Sequence, residues 1–282
     1  MKIIRAVKEM QEASEAFRKE GKKIGFVPTM GYLHEGHLAL VRKARELADV
    51  VAASIFVNPT QFGPDEDLGR YPRDLERDRA LLERERTDVL FFPDVKEMYP
   101  EGYSTYVEVE ELEDHLCGLS RKGHFKGVAT VVAKLFNAVK PHFAVFGQKD
   151  YQQLKVIERM VKDLNMDVAI IGYPIVREEG GLAMSSRNAY LSADEREKAL
   201  LIHASIEKVE ELFRNGERKS SLLEAEARRV LTLKNGVDVE YVAVCDPETF
   251  HDLEEVGSRA LLAVAAKVGA TRLIDNAVLT ES

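Results

Sequence analysis

A chain of 282 residues can hold one large domain or two modest ones, each with its own core. It is 45% hydrophobic and 31% charged, as an ordinary globular protein is, and its net charge of −8 argues against broad binding to nucleic acid or anionic lipid. The two cysteines lack metal-ligand spacing, Met1 opens no signal-peptide pattern, and no apolar run nears the roughly 20 residues of a membrane span. The expectation is a cytoplasmic protein that holds any anionic substrate with a local cluster of positive groups.

Residues 8–20 read as an amphipathic helix. Ile24, Phe26 and Val27 then make a short apolar run bounded by Gly and Pro, the pattern of a buried strand. Gly31 and Gly36 punctuate the turn that follows, and Leu38, Leu40, Val41, Ala44, Leu47 and Ala48 recur at helical spacing. A second apolar run, residues 50–57, completes a βαβ unit. The turn therefore lies between a parallel strand's carboxyl end and a helix's amino end, where N–H groups and the helix dipole favour phosphate. His34 and His37 sit there three residues apart, so both can reach one bound group. An isolated His at a helix start is usually just solvated; a pair in a Gly-punctuated turn points to phosphate handling. A zinc-protease pair needs His at i and i+4 on a continuous helix, and no Cys lies nearby.

Residues 58–64 form a Pro- and Gly-rich loop just past a strand end, where Asn58 and Gln61 either bind a ligand or cap a turn. Asp65–Asp67 reads as a solvated acidic loop. Residues 73–86 make a charged helix with Leu75, Leu81 and Leu82 turned inward; Asp78 on it reads as a solvated carboxylate, with a metal ligand as the alternative. Residues 89–93 read as a third strand, and residues 103–109 alternate like a fourth. Residues 120–127 form a basic, glycine-broken loop, suited to an anion or merely to the surface, ahead of a helix of Val128, Val131, Val132, Leu135, Phe136 and Val139. A buried strand follows over residues 143–147, and Gly147 and Lys149 repeat the strand–Gly–helix logic with a cation added. A helix to Leu164 and a strand over residues 168–176 end the alternation.

Strands alternating with helices imply an α/β fold: a Rossmann-like parallel sheet with helices on both faces. Neither the dinucleotide Gly-x-Gly-x-x-Gly nor the P-loop pattern is present. In the polar segment 180–188, Ser185, Ser186 and Arg187 offer hydroxyls and a planar fork of donors matched to phosphate, if the segment is not simply a linker. Ser192 and Glu195 form a capping box opening a long helix through Phe213. A helix over residues 220–233 and strands over 237–245, 261–267 and 272–279 complete a smaller α+β carboxyl-terminal domain. The boundary is placed at residue 176, giving domains 1–176 and 177–282. With no embedded nucleophile and base, the collected groups suit displacement at phosphorus, where positioning and charge stabilisation do most of the work.

Two short motifs carry a superfamily resemblance. His34-Glu-Gly-His37 resembles the His-x-Gly-His signature of the nucleotidylyltransferases, and Met184-Ser-Ser-Arg-Asn188 resembles their second phosphate-binding loop. Pro28-Thr-Met-Gly31, Phe56-Val-Asn-Pro-Thr-Gln-Phe62, Tyr71-Pro-Arg73, Gly123-His-Phe-Lys-Gly-Val128, Phe146-Gly-Gln-Lys-Asp-Tyr-Gln-Gln153 and Leu182-Ala-Met-Ser-Ser-Arg-Asn188 are, in that order, similar to the pantoate–β-alanine ligase family. The likeness is dense over residues 25–191; beyond them only size and character match.

The resemblance implies an ATP-dependent ligase. ATP and pantoate give pantoyl adenylate and pyrophosphate; β-alanine then displaces AMP to give pantothenate. It also implies Mg²⁺, a carboxyl-terminal lid and a homodimer; the charge and the lack of a long apolar run already argue against a nucleic-acid or membrane partner. Transferred by motif, Met30, Gly31, Tyr32, Leu33, His34, Glu35, Gly36 and His37 hold ATP, with both imidazoles at the triphosphate and His37 donating a proton or stabilising charge as pyrophosphate leaves. Gly147, Gln148, Lys149, Asp150 and Val176 line the adenosine, Lys149 turning to the phosphates. Met184, Ser185, Ser186 and Arg187 close on them. Gln61 and Gln153, with Asn58 and Lys126, take pantoate; Gln61 also meets β-alanine; Asp78 carries Mg²⁺. Two departures stand out: Lys126 replaces a more usual Arg, keeping the charge but not the bidentate fork, and Gln148 replaces a common Glu.

Overall fold

A computed structural model describes residues 1–64 and 66–281, so Asp65 of the expected acidic loop lies outside the described residues. The chain divides into two compact units. The first takes Met1–Glu110, Arg121–Gln148 and Gln152–Pro174; the second takes Glu111–Ser120, Lys149–Tyr151 and the residues from Ile175 onward.

In chain order the first stretch runs β1 (Lys2–Ile4), α1 (Val7–Lys19), β2 (Ile24–Thr29), α2 (Glu35–Leu47), β3 (Val50–Ile55), α3 (Leu75–Arg84), β4 (Val89–Phe91) and α4 (Val95–Met98). After α5 (Leu116–Ser120), which belongs to the second unit, come α6 (His124–Val139), β5 (Phe143–Gly147), α7 (Tyr151–Asp163) and β6 (Ala169–Tyr173). The six strands form one sheet in the order β1-β4-β3-β2-β5-β6, every pair parallel. Right-handed crossovers then place α2 and α3 on one face and α1, α6 and α7 on the other. Buried on both sides, β3 is apolar but for Ser54, as a central parallel strand should be.

From β2 the chain steps first to β3 and β4, then returns to β5 on the opposite side, so β2 and β5 flank the topological switch point. Their ladder covers only Gly25 and Phe26, whereas β2 pairs with β3 as far as Thr29 opposite Ile55. Pro28, which has no N–H to give, lies in the part of β2 where pairing with β5 has ended. The two strands thus part at their carboxyl ends, and the turn after β2 opens there. Beneath it Val27, Leu33, Val41, Val51, Ile55 and Leu82 form a closed apolar cluster.

Sequence and structure differ in two strands. β1 went unread because three residues carry no period. Residues 103–109, read as a strand from their alternation, take no regular structure and pair with no strand among the described residues; Val107 N–H instead donates to the Thr130 hydroxyl of α6 (2.9 Å). Alternation specifies a face, and without a neighbouring strand edge it does not make a sheet.

His142 ties β5 to β2 and carries a pH consequence. Its Nδ1 accepts the Ile24 N–H (2.9 Å) and its backbone N–H donates to the Ile24 carbonyl (2.9 Å). Burial, with Arg18 and Lys23 nearby, pushes the imidazole below the usual 6.5. A His held neutral by the fold contributes stability that is complete above its unfolded pKa and is lost as pH falls toward the lowered folded one. Melting temperature should therefore decline below about pH 6.5, and His142→Gln, which keeps an acceptor without a titration, should flatten the decline. Parallel wild-type and variant profiles from thermal melts would rule this out.

The second unit is an antiparallel sheet, β7 (Val237–Cys245), β8 (Arg259–Val268) and β9 (Thr271–Thr280) in that order, packed with α8 (Ala193–Arg214) and α9 (Ser220–Leu231). The expected capping box is present: Glu195 N–H donates to the Ser192 hydroxyl and Ser192 N–H to the Glu195 carboxylate (2.9 Å). Ile202, Ile206, Phe213, Leu223 and Leu262 fill its core. Among the described residues no helix is long and apolar enough to cross a membrane.

Candidate active site

The turn after β2 runs through two consecutive left-handed residues, Gly31 (φ 85°) and Tyr32 (φ 48°). Glycine accepts this freely; tyrosine does so against its preference. Leu33 follows with its side chain fully buried in the apolar cluster, and His34 is the residue from which α2 springs. His37 sits one turn in, its Nδ1 accepting the His34 N–H (3.3 Å), and the two rings lie 4.0 Å apart between centroids. With Nδ1 an acceptor, a neutral His37 ring carries its proton on Nε2. Glu35, beside them, is exposed and paired with Arg42.

One expectation about this turn needs correcting. Its amides were to await phosphate, but Tyr32 N–H donates to Asp78 Oδ2 (2.6 Å) and Leu33 N–H to Asp78 Oδ1 (2.7 Å). Nor is Asp78 a solvated carboxylate: it is 1% exposed, set on α3 one helical turn before the buried Leu82. Burial pushes its pKa above the ordinary value, and the two N–H groups and Arg77 pull it back. The i, i+4 relation to Leu82 was the signal that could have found it, since both must face inward. The residue does not fit a magnesium ligand. Its oxygens already receive two short hydrogen bonds, the Arg77 guanidinium lies 3.4 Å from Oδ1, and among the described residues no three His, Cys, Asp or Glu gather as a metal site.

The loop after β3 supplies the polar pair. Asn58 (1% exposed) and Gln61 (8%) are joined by Asn58 Nδ2 donating to Gln61 Oε1 (3.1 Å), and Gln61 Nε2 contacts Met30 Sδ at 3.4 Å. That contact brings the β3 loop to the β2 turn. Asn58 Nδ2 also donates to the Gly127 carbonyl (3.1 Å), and Tyr99 O–H to Asn58 Oδ1 (2.8 Å), with burial holding the phenol's pKa up at about 12. On the other side, His124 Nδ1 lies 2.8 Å from the Gln61 carbonyl, with Arg121 at 3.4 Å from it.

The basic loop thus does different work from the anion site that was one of its expected roles. Arg121 grips Glu66 through two donors (2.6 and 2.8 Å); burial opposes ionisation of that carboxyl, but Arg121 prevails and its pKa is lowered. The Lys126 ammonium pairs with Glu108 (3.1 Å) and lies over the Tyr106 ring. The sequence offered Arg121 and His124 only as members of a basic loop and did not offer Tyr99; the partners they meet lie 41–63 residues away, beyond any local pattern. Gly147 ends β5 at the switch point, Gln148 opens the short turn after it, and Gln153 is half-buried on the first turn of α7.

In the second unit, the Lys149 ammonium lies 3.7 Å from Asp150, and its carbonyl accepts from Asn276 Nδ2 (2.9 Å). Residues 176–188 form a tight hairpin. Met184 N–H donates to the Val176 carbonyl (3.0 Å), Arg177 bridges Ala183, and Asn188 Nδ2 donates to Glu178 (2.7 Å) and to the Ala183 carbonyl (3.1 Å). Ser185 Oγ accepts the Arg187 N–H (3.3 Å), Ser186 is buried, and Arg187 is half-buried.

Comparison with known proteins gives the family of the chain. The family profile described as Pantoate-beta-alanine ligase matches residues 2–278. A pantothenate synthetase of Thermotoga petrophila is 58% identical over 279 residues, covering 99% of this chain and all of its own; that of Geobacter sulfurreducens is 54% identical over 281. The crystal structure of pantothenate synthetase from Thermus thermophilus superposes with a TM-score of 0.94 at 47% identity, both chains fully covered. A Francisella tularensis pantoate-beta-alanine ligase, solved as a complex with beta-gamma ATP and beta-alanine, superposes with a TM-score of 0.80 at 36% identity over 100% of this chain and 99% of its own.

Proposed function

The chain belongs to the pantoate–β-alanine ligase family, and on that footing we propose how its residues share out the reaction: ATP activates pantoate as pantoyl adenylate, and β-alanine then displaces AMP. The observation that carries the assignment is the meeting of two loops at the switch point. The turn bearing His34 and His37 touches, through Met30, the buried amide of Gln61. One loop offers donors for a phosphate tail, and the other offers a rigid polar pair for a small hydroxy acid.

In this reading Met30–His37 receive ATP, with His34 and His37 at the triphosphate, and His37 donates from Nε2 as the pyrophosphate oxygen takes on charge. Donors fixed where charge develops need no reorganisation during the reaction. Gln61 and Gln153 hold the pantoate hydroxyls, and Gln61 also meets β-alanine; Asn58 acts by fixing the Gln61 amide. Gly147–Asp150 and Val176 take the adenosine, with the Lys149 ammonium on the phosphates beside Ser185, Ser186 and Arg187. Residues 1–176 bind nucleotide and pantoate, and residues 177–282 act as the lid that shields the acyl adenylate from water. Mg²⁺ would accompany ATP, where it would supply neutralisation of the phosphate charge. The protein works in the cytoplasm as a homodimer, which sedimentation should register at twice the mass of one chain.

The test is ATP–pyrophosphate exchange with and without pantoate. Exchange should require pantoate and proceed without β-alanine, and adding β-alanine should release AMP and pantothenate. Exchange independent of pantoate, or AMP formation only when both acids are present, would overturn the adenylate route.

A further inference from the structure

We propose that Asp78 is the anchor of the catalytic turn, a positioning residue that sets His34 and His37 by binding the backbone of Tyr32 and Leu33. This deepens the reading above and rests on His34 and His37 serving the departing pyrophosphate.

Successive N–H groups in a turn can face one side and make a small concavity suited to an anion, as those of Tyr32 and Leu33 do. Here that anion is the protein's own: the two oxygens of Asp78 fill it at 2.6 and 2.7 Å. The left-handed φ of Tyr32 is unfavourable in itself, and such a conformation persists only where its surroundings over-determine it. They do so from every side. The Leu33 side chain is locked in the apolar cluster, and Thr29 Oγ1 accepts the Gly31 N–H (3.2 Å). A Cβ on Gly31 would meet Ile55 Cγ2 at 2.9 Å and Asp78 Oδ2 at 3.1 Å, so the carboxylate is packed directly against the turn. From outside, the Arg77 guanidinium lies 5.0 Å over the Tyr32 ring and 3.4 Å from Asp78 Oδ1.

The linkage to chemistry is short. Leu33 precedes His34, and the His34 N–H is the group that His37 Nδ1 accepts. If the turn relaxes, both rings move with it. A protein carboxylate in the concavity also keeps phosphate out of it, so the triphosphate must meet the imidazoles and the first turn of α2 instead.

The experiment pairs Asp78→Asn with the two half-reactions. Asparagine keeps one acceptor oxygen but sets an amide N–H against a backbone N–H. Pantoate-dependent ATP–pyrophosphate exchange should fall about 10- to 100-fold, the worth of one charge-assisted hydrogen bond. Attack of β-alanine on supplied pantoyl adenylate should stay within about threefold, since pyrophosphate has already left. The loss should be unchanged across millimolar Mg²⁺. Asp74→Ala, which removes the α3 cap (Asp74 Oδ1 accepts Arg77 N–H at 3.1 Å), should spare exchange. Recovery of the variant by excess Mg²⁺ would instead make Asp78 a metal ligand, and equal loss in both half-reactions would make its role merely structural; either outcome overturns the proposal.

Should the variant not fold, the wild-type enzyme decides alone. The amide protons of Tyr32 and Leu33 should be strongly deshielded and slow to exchange, and unmoved by Mg²⁺ without nucleotide. Fast exchange, or shifts on adding Mg²⁺, would overturn the anchor. Wild-type exchange activity is read separately, so absence of the parent reaction cannot be confused with failure of the anchor.

Discussion

His37→Ala should lower pantoate-dependent ATP–pyrophosphate exchange by about 10²–10³, the usual cost of removing one donor aimed at developing charge. The fold should survive. His37 is half-buried and lies outside the apolar cluster, and alanine is the better helix former. What the fold loses is the acceptor for the His34 N–H, a cap worth about 1 kcal/mol. The kinetic pattern matters more than the size. A donor engaged only as pyrophosphate leaves should show its loss in kcat and kcat/KM alike, with KM for ATP little changed. β-Alanine attack on supplied adenylate should be spared. His37→Gln, whose side-chain NH₂ reaches about where Nε2 stands, should recover part of the lost rate. Near-normal pyrophosphate release from His37→Ala would remove the residue from the mechanism, whatever the family resemblance implies.

How much of this was legible beforehand depended on whether the cause was local. β2, β3 and β5 were readable because a strand buried on both faces must be a short apolar run, and α2 because its apolar residues recur every third or fourth position. Gly31, His34, Gly36 and His37 were legible as a site because the strand-to-helix context gives each residue type a physical reason to be there. Tyr32 was not, since nothing in a tyrosine announces a left-handed backbone. The state of the turn's amides was also invisible: the carboxylate that takes them lies 45 residues on, in a helix so charged that one more acid looked solvated. The same limit hid His124 and Arg121. Their charges advertised an anion site, whereas the structure commits them to a peptide carbonyl and to Glu66. Sequence shows which groups are present, and only packing shows which are already satisfied.

Gly127→Ala should cost at least about 10² in kcat/KM for pantoate, the scale of a misplacement near 1 Å at a binding group. Helix propensity alone favours the change, because alanine in a helix is better than glycine by roughly 1 kcal/mol. Sterics decide otherwise. A Cβ at Gly127 would lie 2.5 Å from the Thr60 carbonyl oxygen, 2.6 Å from its carbon and 2.7 Å from Gln61 Cα, all backbone atoms that cannot swing aside. Either α6 or the Pro59–Gln61 turn must move. Both motions pull on the same two ties, Asn58 Nδ2 to the Gly127 carbonyl and His124 to the Gln61 carbonyl. Stability should fall by about 1–3 kcal/mol, as for other overpacked sites. The ATP half of the site should be spared, because Asp78 holds the His34–His37 turn independently of α6. Gly123→Ala is the discriminating partner. At φ 77° it strains its own backbone, yet a Cβ there meets nothing within 4 Å, so it should lose stability and keep pantoate affinity. If both variants weaken pantoate equally, general loosening of the α6 start is responsible; if only Gly127→Ala does so, the close approach of α6 to Gln61 is what shapes the pantoate end of the site.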